Sequence, residues 1–199
     1  MRSQARGAET RVHILDAAEK AIARQGYDAT SVEDICQAAG VTKGGFYYHF
    51  SSKQALFLEL LERWLARLDV QLAAVGVGAE TIPQRLLRMG ALGGQEFQQR
   101  RGQLQILLEF WEQAAHDPTV WKAATAPFRR YQESLGALIE AGIAEGTLQP
   151  VDARIAGQAI VSLGVGLVVQ GLLDPEGSDW CQVVSESVRM LVDGLRRRD

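Results

Sequence analysis

The chain has 199 residues, a formal net charge of −3 at pH 7 and two cysteines. Hydrophobic residues make up 47% and charged residues 23%, a balance that is typical of a folded soluble protein and excludes a disordered or fibrous one. Residues 1–55 hold seven Lys/Arg and six Asp/Glu, whereas the remainder holds fourteen and eighteen. Any contact with nucleic acid is therefore expected from a few N-terminal cations.

Two helices are predicted in the first 40 residues. The first carries apolar residues at three- and four-residue steps and ends at Gly26. Thr30 and Glu33 match a capping box, which predicts that a second helix begins there. Gly40 ends this helix after about two and a half turns. The apolar face of the first helix comprises Ile14, Ala17, Ala18 and Ile22.

A third, short helix is predicted after Thr42, whose hydroxyl can cap its first turn. Phe46 and Phe50 lie four residues apart and face the core. The polar and aromatic residues around them are left on the exposed surface, and folding alone does not require that concentration. These residues are Lys43, Tyr47, Tyr48 and His49.

Two glycines, Gly44 and Gly45, occupy the first turn of this third helix. Each costs roughly 1 kcal/mol relative to alanine, which is explained if bulk there would block a closely approaching surface. The DNA major groove accepts an α-helix and offers guanine O6 and N7 to the ammonium of Lys43. Tyrosine hydroxyls, an imidazole and Lys53 suit phosphate oxygens. The alternative is that the two tyrosines pack against the first helix.

The rest of the chain is also predicted to be helical. A long fourth helix over about 52–75 suits a connector between domains, and a loop follows over 75–81. Later helical patterns end in two helices, at 152–173 and at 179 to about 197. No strand is predicted, so the expected fold is all-α with about nine helices.

An uncharged stretch, Ile155–Leu173, approaches the roughly 20 residues that span a bilayer. Its three polar residues and four glycines argue against a membrane helix, and we expect a helix buried on nearly all sides of a soluble protein. The polar residues are Gln158, Ser162 and Gln170. No membrane partner is expected.

Catalytic and metal-binding motifs are missing from the sequence. The three histidines have no partner at metal-ligand spacing, and no nucleophile elbow, P-loop or dinucleotide fingerprint occurs. Cys36 and Cys181 are expected to be buried thiols and not a disulfide. We therefore expect neither an enzyme nor a metal or cofactor site.

Residues 10–56 resemble the signature of the tetracycline-repressor (TetR) family, with several specific positions in register. The matching segments are Thr10-Arg11, Ile14-Leu-x-Ala-Ala18, Gly26-Tyr27, Thr30-Ser-Val32, Ile35, Ala38-Ala-Gly-Val-Thr-Lys-Gly-Gly-Phe-Tyr-Tyr-His-Phe50, Ser52-Lys53 and Leu56.

The resemblance implies a three-helix helix-turn-helix domain over 1–55, a linker helix over about 52–75, and an effector-binding and dimerisation domain over 56–199. It also implies roles for ten residues. Lys43, Gly44, Gly45 and Tyr47 would face base edges, and Thr42, Tyr48, His49 and Lys53, with Arg11 and Thr30, would meet the DNA backbone. Because Gly45 stands where many relatives place a small hydroxyl residue, base recognition is expected mainly from Lys43 and Tyr47.

The last two helices would form a four-helix bundle with those of a second copy. The predicted dimer residues are Ile155, Ile160, Leu163, Gly164, Leu167, Trp180, Val184, Val188 and Leu191. Apolar residues that could line an effector pocket, or else form ordinary core, are Met89, Leu107, Phe110, Trp111, Trp121, Phe128 and Tyr131.

These expectations combine into a cytoplasmic, nucleoid-associated bacterial regulator. It would bind a palindromic operator as a homodimer, and an apolar or aromatic small molecule would release it, by a shift of the fourth helix. Two alternatives are a small-molecule-binding dimer without an operator, and an enzyme on a helical scaffold.

Overall fold

The computed structural model describes residues 2–75 and 81–197, and over those ranges it contains eight α-helices and no strand. The all-α fold class is confirmed. Most of the predicted loop at 75–81 lies outside the described residues. The helices are α1 (Arg2–Gln25), α2 (Val32–Ala39), α3 (Lys43–His49), α4 (Lys53–Val75), α5 (Ile82–Ala114), α6 (Pro118–Ala144), α7 (Ala153–Leu173) and α8 (Trp180–Leu195).

The start of α2 differs from the prediction. Ser31, not Thr30, is the N-cap: its hydroxyl accepts a hydrogen bond from the backbone N–H of Asp34 at 3.1 Å, and Asp34 Oδ2 accepts from the N–H of Ser31 at 2.8 Å. Thr30 is buried, and its hydroxyl donates to the carbonyl of Gly26 at 2.7 Å. The predicted Thr30–Glu33 capping box is thus wrong by one residue, because Thr30 closes the preceding turn instead.

The chain divides into two compact units that do not follow the predicted boundary at residue 55. The first unit comprises 1–66 and 105–124, and the second comprises 67–104 and 125–199. Helices α4, α5 and α6 therefore each contribute residues to both units. The assignment of DNA binding to one region and effector binding to another stays a prediction.

The core of the first unit is built around Tyr27, at the turn between α1 and α2. Its ring lies 5.0 Å from that of Phe57 on α4 and 5.3 Å from that of Phe110 on α5, both edge-on. The backbone N–H of Tyr27 donates to Glu109 Oε2 at 2.7 Å. The end of α5 is thereby fastened to the turn that leads into α2.

The second unit depends on glycines where helices approach closely. A Cβ built on Gly157 of α7 would lie 2.7 Å from the carbonyl oxygen of Gln132 on α6. A Cβ on Gly94 of α5 would lie 2.8 Å from the carbonyl oxygen of Cys181 on α8. Cys36 is buried as expected, but Cys181 is only half-buried, and both thiols are free.

Candidate DNA-binding surface

Helix α3 presents one buried and one exposed face. Thr42 caps it, because its hydroxyl accepts a hydrogen bond from the N–H of Gly45 at 3.1 Å. Phe46 is completely buried in the core of the first unit, as predicted. On the opposite side Tyr47 and Tyr48 are 53% and 83% exposed, so neither ring is packed into the protein interior. The predicted surface concentration of aromatic residues is therefore present.

The glycines of α3 are not needed for packing within the protein. A Cβ on Gly45 would meet its nearest neighbour, the hydroxyl oxygen of Thr42, at 3.5 Å, and a Cβ on Gly44 would meet it at 3.8 Å. Both distances are ordinary van der Waals contacts. The two glycines therefore leave the outer face of α3 without side-chain bulk, although packing within the protein does not require this. Such a face suits a surface that another molecule approaches closely.

Lys43, the first residue of α3, forms an ion pair with Glu33 of α2. The hydrogen bond from the ammonium raises the pKa of Lys43 and lowers that of Glu33, so both groups are charged at neutral pH. Both side chains are more than half exposed. Glu33 was assigned to a cap by the sequence pattern, and no spacing rule indicates a pair between residues ten apart on two different helices.

Three of the predicted phosphate ligands have partners inside the first unit. Lys53 Nζ donates to the carbonyls of Tyr27 at 2.9 Å and Thr30 at 3.0 Å, and lies 4.1 Å from the centre of the Tyr27 ring. Burial lowers its pKa. Arg11 forms an ion pair with Glu59 and lies over the ring of Phe50.

Thr30, the third of these predicted ligands, is completely buried, so its side chain presents no atom to a phosphate. The structure thus brings Thr42, Lys43, Gly44, Gly45, Tyr47, Tyr48 and His49 together on and beside α3, with the ring of His49 5.0 Å from that of Tyr48. Arg11 and Lys53 retain exposed area but also serve the unit's own packing.

Two family models match this chain. That of bacterial regulatory proteins of the tetR family matches residues 14–60, and that of the C-terminal part of BetI-type transcriptional repressors matches residues 83–197, more than half of the chain. The chain belongs to the TetR family. It is accordingly a helix-turn-helix transcriptional regulator and not an enzyme.

Individual relatives agree with this assignment. The transcriptional regulator AcrR of Shigella flexneri is 29% identical over 193 residues, which cover 93% of this chain and 88% of AcrR. The regulator TtgR of Pseudomonas putida is 41% identical over 61 residues, 31% of this chain and 29% of TtgR. A transcriptional regulator from Saccharomonospora viridis, crystallised in complex with choline, shares the fold with a TM-score of 0.82 at 23% identity, covering 96% of this chain and 100% of that one.

Family membership also decides the nature of α7, which is long and apolar enough to cross a membrane by length and composition alone. TetR regulators are soluble cytoplasmic DNA-binding proteins, so α7 of this TetR regulator is not a membrane span. The expectation that this helix is buried on nearly all sides is wrong for the described chain, because only one side of α7 packs against its own unit. Its buried residues are Ala153, Ala156, Gly157, Leu167 and Gly171.

The predicted dimer residues of this TetR regulator fall into two groups. Several contact the protomer's own helices: Leu167 is buried, Val188 lies against Gly90 of α5, Trp180 lies against Gly171 of α7, and Ile160 packs against the core of the second unit. Others remain open to the surroundings. Ile155 is 55% exposed, and a Cβ on Gly164 would have no neighbour within 4 Å. Ile160, Leu163, Val184 and Leu191 are half-buried.

The predicted effector residues are divided between the two units. Leu107, Phe110, Trp111 and Trp121 belong to the first unit, whereas Met89, Phe128 and Tyr131 belong to the second. Phe110 is completely buried between Tyr27 and Phe57, which makes it ordinary core, and Trp121 is exposed. Tyr131 donates a hydrogen bond to Asp69 Oδ1 at 2.7 Å. A pocket formed by these residues stays a prediction.

Proposed function

We propose that this TetR regulator is a ligand-responsive repressor that binds a palindromic operator as a homodimer and is released by a small-molecule effector. The exposed face of α3 carries this proposal. It combines a lysine, two tyrosines and two glycines for which the packing of the unit gives no reason. A helix with that face can enter the major groove, where Lys43 bonds base edges and Tyr48 bonds a phosphate.

The dimer is supported by the open apolar surface of α7. Ile155 is exposed and Gly164 leaves room for the backbone of another copy. A palindromic operator would require the two α3 helices of such a dimer to lie about 34 to 36 Å apart, which is one turn of DNA. Gly164→Glu is expected to convert the dimer to a monomer in sedimentation experiments. Gly102→Glu is the matched control, since Gly102 also has no neighbour within 4 Å.

Effector release is proposed to act through α4, because each half of this helix is fastened to a different unit. In the first unit, Arg63 donates to Asp16 at 2.5 Å and Trp64 to Glu19 at 2.8 Å. In the second, Asp69 accepts from Tyr131. An effector that stabilises a shifted α4 changes the spacing of the two α3 helices and weakens operator binding.

The effector is proposed to be apolar or aromatic, in keeping with the Trp, Phe and Tyr residues that α4, α5 and α6 contain. Aromatic rings also suit quaternary ammonium groups, and choline, the ligand of the Saccharomonospora viridis regulator, carries one. Thermal unfolding with choline and with neutral aromatic compounds separates the two classes, since a true ligand raises the melting temperature with its concentration.

The experiment for the operator is a gel shift at stated salt with duplex DNA flanking the chain's own gene. The proposal expects wild type to prefer this DNA over a scrambled duplex, Tyr48→Ala to weaken binding to both, and the dimer to need both half-sites. A reporter gene behind the same DNA should be silenced by wild type. Equal affinity for both duplexes would refute operator binding.

A further inference from the structure

Lys43 is not free in the isolated protein, although its ammonium lies on the surface proposed to meet DNA. It is held by Glu33, which projects from the first turn of α2. The neighbouring acid, Asp34, is engaged by Ser31 in the capping box and is not the partner of Lys43. Glu33 is therefore the acid of this turn that reaches α3.

The Lys43–Glu33 pair has little to do with folding. The two side chains are 59% and 58% exposed, and exposed ion pairs contribute little to stability. Helix α2 is already capped by Ser31 and α3 by Thr42, so neither helix needs the pair to begin. The effect of this carboxylate is therefore expected on the approach of DNA and not on folding.

Against phosphate the pair is unfavourable in two ways. Lys43 has to leave Glu33 before it can neutralise a phosphate, and the stranded carboxylate then faces a strongly negative backbone. Against bases the pair is compatible with binding. The ammonium can bond guanine O6 and N7 while the carboxylate accepts from an exocyclic amino group such as cytosine N4.

We propose that Glu33 is a specificity-determining residue, which holds Lys43 away from phosphates on random duplexes and releases it to base edges in the operator. The inference rests on the proposed operator function. Glu33 acts through Lys43, so removal of its charge should improve binding to the wrong DNA more than to the right DNA. Specificity would then come partly from suppression of non-specific affinity.

The test measures affinity by fluorescence anisotropy for the operator region and for a scrambled duplex, over a series of salt concentrations. Glu33→Gln is expected to bind the scrambled duplex roughly three- to tenfold more tightly, while operator affinity changes less than about twofold. The slope of log affinity against log salt on scrambled DNA should become steeper by about 0.9 for each α3 engaged, because each freed Lys43 neutralises one phosphate.

Two further variants give the controls. Glu112→Gln removes the same charge from an exposed position on α5 of the same unit and is expected to change neither the affinity ratio nor the salt slope. Glu33→Gln combined with Lys43→Gln is expected to lose the gain on scrambled DNA. Equal gains in Glu33→Gln and Glu112→Gln, or a gain that survives in the double variant, would overturn the role of Glu33.

The wild-type measurements test the proposed operator function itself. A wild-type chain without preference for the operator region would refute the proposed function together with the inference that rests on it. A wild-type preference that Glu33→Gln leaves unchanged, with an unchanged salt slope, would overturn only the inference. The two failures are therefore distinguishable in one set of titrations.

Discussion

Two pairs of glycines, one pair in each unit, have opposite surroundings. In the first unit, a Cβ on Gly44 or Gly45 would have ordinary room on the exterior of α3. In the second, a Cβ on Gly157 would collide with the backbone of Gln132, and one on Gly171 with the ring of Phe97. The second pair lets helices of one chain approach each other, whereas the first pair has no such role within its unit and is proposed to keep the outer surface of α3 free for DNA.

The largest expected effect follows from the closed glycines. Gly157→Ala should lower the free energy of unfolding by about 1 to 3 kcal/mol, because the added methyl meets backbone atoms that cannot move aside. Urea unfolding followed by circular dichroism measures the change. Gly102→Ala is the control: its methyl meets nothing, and stability should be unchanged or rise by up to about 1 kcal/mol. Equal effects of both variants would contradict the comparison.

The open glycines should behave in the opposite way. Gly44→Ala and Gly45→Ala are expected to leave the free energy of unfolding unchanged or higher, since a Cβ fits at both positions. Operator affinity should fall at least about tenfold, which corresponds to ~1.4 kcal/mol, because the methyl occupies space that the groove needs. Unfolding curves check the expected stability, and binding titrations of the same samples check the expected loss of operator affinity. Gly102→Ala is again the control. Undiminished affinity would mean that this face does not approach DNA closely.

Loss of the capping box of α2 is expected to lower stability by a smaller amount, and it separates the roles of the neighbouring acids Glu33 and Asp34. Ser31→Ala should cost about 1 kcal/mol of stability, as loss of an N-cap does. Asp34→Asn should also destabilise the protein at neutral pH, whereas Glu33→Gln should not, since Glu33 does not cap α2. Thermal unfolding of the three variants at one pH is the measurement.

The same box has a defined pH dependence. Hydrogen bonds from the hydroxyl and the backbone N–H of Ser31 lower the pKa of Asp34 below its value in the unfolded chain. The contribution of the ionised Asp34 carboxylate to the free energy of unfolding is therefore present above the pKa of the unfolded chain. It is lost as the pH falls through the pKa of the folded protein. The stability difference between wild type and Asp34→Asn should shrink as the solution is acidified, and a difference that grows would contradict this assignment.

The smallest expected effect concerns the link between α4 and α6 in the second unit. Burial, and then the hydrogen bond to Asp69, raise the pKa of Tyr131 to about 12. Tyr131→Phe removes that hydrogen bond at a cost of about 0.5 to 1 kcal/mol, moderated because Arg130 still contacts Asp69 at 3.1 Å. Operator affinity without effector should stay unchanged. A higher effector concentration should be needed to release the variant from the operator.

Local patterns predicted the first unit well because its signals lie within one helical turn of each other. Gly26 and Gly40 end their helices with positive φ angles of 86° and 61°, and Thr42 caps α3 as expected. The error at α2 came from the run Thr30-Ser-Val-Glu-Asp34, in which two overlapping pairs satisfy the capping rule. Burial of Thr30 decides between them, and burial is a property of the folded unit.

Long-range partners explain the other differences. The role of Lys53 at phosphate stays a prediction, but its contacts with the carbonyls of a turn more than 20 residues away in the chain were not predicted. The apolar stripe of α8 was expected to face a second copy, yet Val188 fits against Gly90 of α5, far away in the sequence. Helical periodicity identifies an apolar face but does not specify which helix covers it.

The most direct test of the account compares wild type and Lys43→Ala on a set of operators that differ by single base pairs. Specific binding should weaken by roughly 1 to 3 kcal/mol in the variant, and its preference should disappear at one base pair in each half-site while the other positions keep theirs. A uniform loss over all sequences, or no loss at all, would contradict the claim that the exposed face of α3 recognises bases through Lys43.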